Sequence, residues 1–209
     1  MISFLKKAGR ILFNFDTAFK DIKKEKGIRS AFWFLLVFLL FTQLFMVVYY
    51  AKVSLPRFGL DVELDVSVFL VLYVVTTVLL VGFAFFRPWI TTLFVRLFRV
   101  GARFQDTYKV MVYGASPGYM VTPFFVGFML GLALFPKVGW WIVLLIGLGL
   151  VSLAGLVFEW VLRVKGMARI HRIGYFYAVL CLYVFPLVLL IVVEVVLILL
   201  VGGVYLFAR

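Results

Sequence analysis

Apolar positions run almost unbroken through five stretches of this chain, and polar positions gather in the short segments between them. The stretches cover about 31–51, 67–86, 110–135, 140–161 and 173–207. Lipid offers backbone amides no water, so an apolar run of about 20 residues closes its hydrogen bonds internally as a spanning helix. The pattern predicts an all-α integral membrane protein with five transmembrane helices. Span three contains Pro117 and Pro123 and is expected to be kinked or partly unwound. The last stretch is too short to cross twice and long for one perpendicular crossing. A tilted or bent helix fits it, hinged near Pro186 and fraying at Gly202 and Gly203.

Outside the spans the period changes. In residues 1–29, Phe4, Ala8, Ile11, Phe15, Ala18, Phe19 and Ile22 recur at helical spacing, with Lys6, Lys7, Lys20, Lys23 and Lys24 mostly on the other face. The segment reads as an amphipathic interfacial helix lying on the cytoplasmic side in the headgroup layer; the alternative is that it packs against the bundle or a soluble partner. Asn14 and Asp16 are placed to split it, with Asp16 capping the second piece. Residues 30–209 then form the transmembrane domain. Between Arg87 and Lys109, apolar positions such as Trp89, Leu93 and Phe94 recur among basic ones, as an interfacial helix or a continuation of span two.

Composition agrees with lipid as solvent. Hydrophobic residues make up 66% of the 209, and charged residues only 14%, too few to solvate a globular surface of this size. The formal net charge of +12 would suit nucleic acid, but the basic residues flank apolar runs, as membrane proteins use them. Nucleic acid is therefore not an expected partner. Eight of the 21 Lys and Arg lie in 1–29, five between Arg87 and Lys109, and four between Arg163 and Arg172; Lys52, Arg57, Lys137 and Arg209 fall on the other side. The positive-inside rule then puts the N terminus in the cytoplasm and the C terminus outside or in a lumen.

Few residues offer chemistry. Glu194 stands alone in an apolar run, where an ionised carboxylate costs on the order of 3 kcal/mol or more. It is a candidate for proton or cation coupling, or it sits near the far interface of an untilted helix and is wet. His171, the sole histidine, is expected in a basic loop, and the sole cysteine, Cys181, in an apolar run. Glu159 and Arg163 are spaced for an i,i+4 pair. Tyr113, Pro117 and Gly118 could expose backbone to a ligand or form a packing kink. Gly127 with Gly131, and Gly147, Gly149 and Gly155, allow close helix approach within the chain or between copies of it. Asp61, Glu63 and Asp65 read as a solvated acidic face, with weak cation binding the alternative. No nucleophile–base set, phosphate-binding glycine loop or metal-ligand cluster is visible, and no cofactor or metal is expected.

The order of these pieces resembles the Yip family of membrane proteins, which interact with Rab-type GTPases, and its prokaryotic relatives. The stretch Gly101 to Pro117, with Phe104, Thr107 and Tyr113, looks like the family's run into the third helix. Gly166, His171, Ile173 and Ala178, with Pro186 beyond, look like its second motif. A family glycine pair is reduced to Gly101 beside Arg103, and Gly174 stands where serine is common. The resemblance implies a five-helix protein of trafficking or membrane-organising type without an active site. The expected function is non-enzymatic: organising membrane or recruiting partners through basic cytoplasmic faces. Lys20, Lys23, Lys24, Arg87, Arg96, Arg99 and Arg103 are the candidates to meet anionic headgroups or an acidic protein partner, with a homo-oligomer open. The alternative is a small transporter or channel using Glu194 and the proline-broken third helix.

Overall fold

The computed structural model describes residues 2–51, 65–99, 101–134 and 141–207, with backbone alone at 2–5, 8, 15–16, 133–134, 141 and 199–207. Pro56, Gly59, Pro136, Lys137 and Gly139, residue types that suit turns between the spans, lie outside the described residues, as do Asp61 and Glu63. The chain is all-α. Helices α1 (Ile2–Phe13) and α2 (Phe15–Lys24) precede α3 (Arg29–Tyr49). Helix α4 (Val66–Phe98) leads to α5 (Phe104–Gly114) and α6 (Ser116–Leu134). Then come α7 (Trp141–His171), α8 (Tyr175–Val179), a π-helical turn Leu180–Val184, and α9 (Phe185–Phe207).

Among the described residues, five helical units are long and apolar enough to cross a membrane: α3, α4, α5–α6, α7 and α8–α9. Their outer surfaces identify the solvent. Val71, Val78, Leu79, Val143, Leu153, Leu187 and Ile198 are among many large apolar side chains left exposed. Contiguous apolar surface on this scale is untenable in water and normal in hydrocarbon. The protein is a multi-pass membrane protein.

Helices α6 and α7 pack against each other along the greatest length, with α3 against α5 and α6, and α5 between α4 and α7. Small residues set these distances. A Cβ on Gly114 would lie 3.2 Å from the Arg163 Cα, so α5 and α7 meet nearly backbone to backbone there. Gly155 sits against Val121, Gly149 against Phe128 and Gly131 against Leu145. These glycines therefore act within the chain, while Gly147 faces open space.

Several boundaries differ from the sequence expectation. Of the two readings for the stretch after Phe86, the continuation holds: the helix of span two runs on through Arg87 and Pro88 to Phe98, 33 residues in all, because a helix leaving the membrane needs no apolar face all round. Span four likewise runs on to His171, so the expected basic loop is the end of a helix. Its turn has Arg172 in the left-handed region at φ 53°, with the Ile173 N–H bonded to the Ala168 carbonyl at 3.1 Å. That six-residue closure is a Schellman ending with arginine where glycine is usual.

The third span breaks at Ala115, just before Pro117, which lies in the first turn of α6 where its missing N–H is harmless. Pro123 stays inside α6. In the last span the irregularity is the π-turn, which ends two residues before Pro186, whose ring crowds the carbonyl four residues back. The helix does not fray at Gly202 and Gly203 but continues to Phe207.

The amphipathic segment splits at Asn14, as expected, but Asp16 is not the cap: it lies inside α2, which starts at Phe15. The apolar stripe of α1 and α2 is buried in the bundle, with Ile11, Phe19 and Ile22 each at most 1% exposed. Gly27, at φ 68°, makes the turn into α3.

Candidate functional site

Polar side chains concentrate at the basic end of the bundle in three connected places. The first fastens the N-terminal helices. Glu25, just after α2, pairs with Lys7 of α1 and accepts from the Tyr113 hydroxyl at 2.9 Å. Lys7 also donates to that hydroxyl at 2.5 Å, and lies over its ring, 4.1 Å from the centroid. Lys109, 2% exposed, donates to the Glu25 carbonyl at 2.5 Å. A buried ammonium must be bonded to persist, and this one is. Tyr113 and Pro117, candidates for an exposed ligand-binding stretch, are both buried, so the break is enclosed in protein.

The second place joins α5 to α7. His171 is 3% exposed, and its Nε2 lies 3.0 Å from the Thr107 hydroxyl. One of the two is donor and the other acceptor, according to the histidine tautomer. A close contact lies beside it: a Cβ on Gly166 would meet Phe19 of α2 and Val110 of α5.

The third place lies deeper and was least visible in the sequence. Arg163 Nη2 bonds Glu159 Oε1 at 2.6 Å, the expected i,i+4 pair, with both side chains nearly buried. Around it the fold adds Arg87 from α4, Tyr119 from α6 and Tyr183 from the π-turn, all in electrostatic contact. Gly118 makes room, since a Cβ there would overlap the Glu159 carboxylate. Glu194 is thus not the only charged residue inside the bundle's length. A half-open pocket of about 170 Å³ is lined by Arg87, Arg163, Tyr119, Thr42 and Gln43 among apolar neighbours. The i,i+4 spacing revealed Glu159 and Arg163. Arg87 and Tyr183 join them only through tertiary packing between segments far apart in sequence.

Glu194 does not enter this pocket. It is exposed on α9, lining a lateral groove with Arg87, Phe86, Pro186 and Leu190. It lies eight residues beyond Pro186, about 12 Å along the helix.

Lys20, Lys23, Lys24, Arg96 and Arg103 are exposed and Arg99 half-buried. Arg96 Nε donates to the Ala102 carbonyl at 3.2 Å, and Arg103 stands 3.7 Å from Asp106. Arg87 is half-buried against Arg163 and stands apart from these surface cations. An open cleft of about 620 Å³ lies beneath the α1–α2 corner, bordered by Phe13, Asn14, Lys165 and Tyr175. Among the described residues, no three of His, Cys, Asp and Glu come together as a metal site would require.

Comparison of the chain with family models, curated proteins and solved structures returns no match. Composition and architecture together make it a polytopic α-helical membrane protein.

Proposed function

We propose that this is a non-enzymatic protein of Yip-like type that organises membrane or recruits an acidic partner through its basic end. One observation carries the reading: α1 and α2 are fixed to the bundle by their apolar faces, leaving Lys20, Lys23 and Lys24 directed outward. Arg96 and Arg103 add to the same basic end. In this reading that end is cytoplasmic, as the distribution of Lys and Arg requires. Each surface cation near an anionic leaflet contributes about 1 kcal/mol, so a rigid set of them becomes an adhesive face. Support for the resemblance comes from the Thr107–His171 contact, which joins the two stretches that carry it, far apart in sequence.

The test uses the full chain reconstituted in neutral vesicles. Anionic vesicles added in trans should dock, and docking should fall with salt. Replacing Lys20, Lys23 and Lys24 together by Glu should abolish most of it. Docking that survives both the reversal and high salt would refute the reading. Charge-selective flux in the same vesicles, lost in Glu194→Gln, would favour the transporter alternative.

A further inference from the structure

We propose that Arg87 and Arg163 bind the phosphodiester of an anionic glycerophospholipid whose acyl chain lies in the groove between α4 and α9. The proposal deepens the lipid-binding part of the function proposed above by giving it a defined intramembrane site.

The charge balance is the first reason. Two guanidinium groups share one carboxylate, Glu159, and Arg163 Nε is buried without a partner among the described residues. Arg87 forms no ion pair among the described residues, and its neighbours include the like charge of Arg163. Arg163 is nearly buried and Arg87 half-buried, so the cluster holds one guanidinium charge more than its single carboxylate offsets. Arginine's planar fork of donors matches phosphate oxygens.

Depth is the second. Helix α4 begins at Val66, where Asp65 caps it through the Val68 N–H at 2.7 Å, and Arg87 stands well along the same helix. Arg163 stands equally far along α7 from its start at Trp141. Each is about six turns from the opposite end, and at about 5.4 Å per turn that is roughly 32 Å, one hydrocarbon thickness. That is the depth of a lipid phosphate in the leaflet on the basic side.

Shape is the third. The groove between α4 and α9, about 340 Å³, is walled by Phe83, Phe86, Leu190 and Val193. Phe83 and Arg87 border both the groove and the half-open pocket beside Arg163, so a headgroup and a chain can be held at once. A free phosphate would have no use for the apolar part. Glu194 also lines the groove, without an ion pair to Arg87 among the described residues.

The experiment is native mass spectrometry of the full-length protein in mild detergent, with phosphatidylglycerol and phosphatidylcholine of identical chains added in competition. Wild type should retain phosphatidylglycerol on the order of tenfold more, the effect of one charge-assisted contact. Arg87→Gln should remove that preference, and Leu190→Trp, which fills the groove, should lower retention of both lipids. Millimolar inorganic phosphate should not displace bound lipid. Undiminished phosphatidylglycerol preference in Arg87→Gln would overturn the site. So would unchanged lipid retention in Leu190→Trp combined with displacement by phosphate, which would mark an anion pocket without a lipid. Should Arg87→Gln fail to fold, the Leu190→Trp and phosphate arms still decide. Vesicle docking through Lys20, Lys23 and Lys24 is read separately, so either idea can fail alone.

Discussion

The Tyr113 hydroxyl donates to Glu25 Oε2 at 2.9 Å, fastening the helix break in the middle of the chain to the end of the second N-terminal helix. Those residues are 88 positions apart, and the bond closes a cluster that includes Lys7, Ser30 and Lys109. Removing the hydroxyl should therefore loosen α1 and α2 from the bundle. Tyr113→Phe should destabilise the fold by about 2 kcal/mol, typical of a bond to a charged group. Hydrogen exchange in residues 2–24 should quicken more than in α7. Equal protection in both proteins would contradict the latch.

Gly114 and Gly147 form a matched pair of tests. A side chain at 114 would press on the α7 backbone, whereas 147 faces open space. Gly114→Ala should cost about 1–3 kcal/mol through overpacking. Gly147→Ala should be neutral or stabilising by up to about 1 kcal/mol through helix propensity. Thermal unfolding in detergent compares them, and equal shifts would mean that α5 and α7 do not approach as described.

The turn after α7 carries local strain that substitution can relieve. Arg172 adopts a left-handed conformation at φ 53°, which costs a residue with a Cβ roughly 1–2 kcal/mol. Arg172→Gly should raise stability by about 1 kcal/mol after the extra freedom of an unfolded glycine is counted. A fall in melting temperature would show that the arginine side chain contributes more than its backbone loses.

Glu159 and Glu194 should differ sharply in their response to loss of charge. Glu159→Gln leaves Arg163 and Arg87 without a carboxylate in a nearly buried place, a change that costs on the order of 3 kcal/mol. Glu194→Gln touches an exposed groove residue with no ion pair among the described residues and should leave stability within about 0.5 kcal/mol of wild type. Reversed magnitudes would move the structural charge centre to α9.

The spans were legible in the sequence because hydrocarbon imposes a composition on them. Their ends were not. Arg87 and Arg163 looked like span boundaries, yet α4 and α7 continue past both for another turn or more. A helix emerging into the headgroup layer keeps its backbone bonds while its side chains change character. For the same reason His171 looked like a loop residue and is instead the buried end of α7. The split at Asn14 was legible, and the capping residue was not. The Glu159–Arg163 pair could be read from its spacing alone. Its enlargement by Arg87, Tyr119 and Tyr183 could not, since those groups come from three other segments whose packing no local pattern encodes.

Five crossings are the claim on which the lipid site, the basic face and the placement of every charge depend. Single cysteines in a Cys181→Ala background, labelled with an impermeant maleimide in sealed vesicles, test it directly. Positions Lys20, Arg103 and Arg172 should label from one side, and Asp65, Lys137 and Arg209 from the other. Labelling of Lys20 and Arg209 from the same side would contradict it.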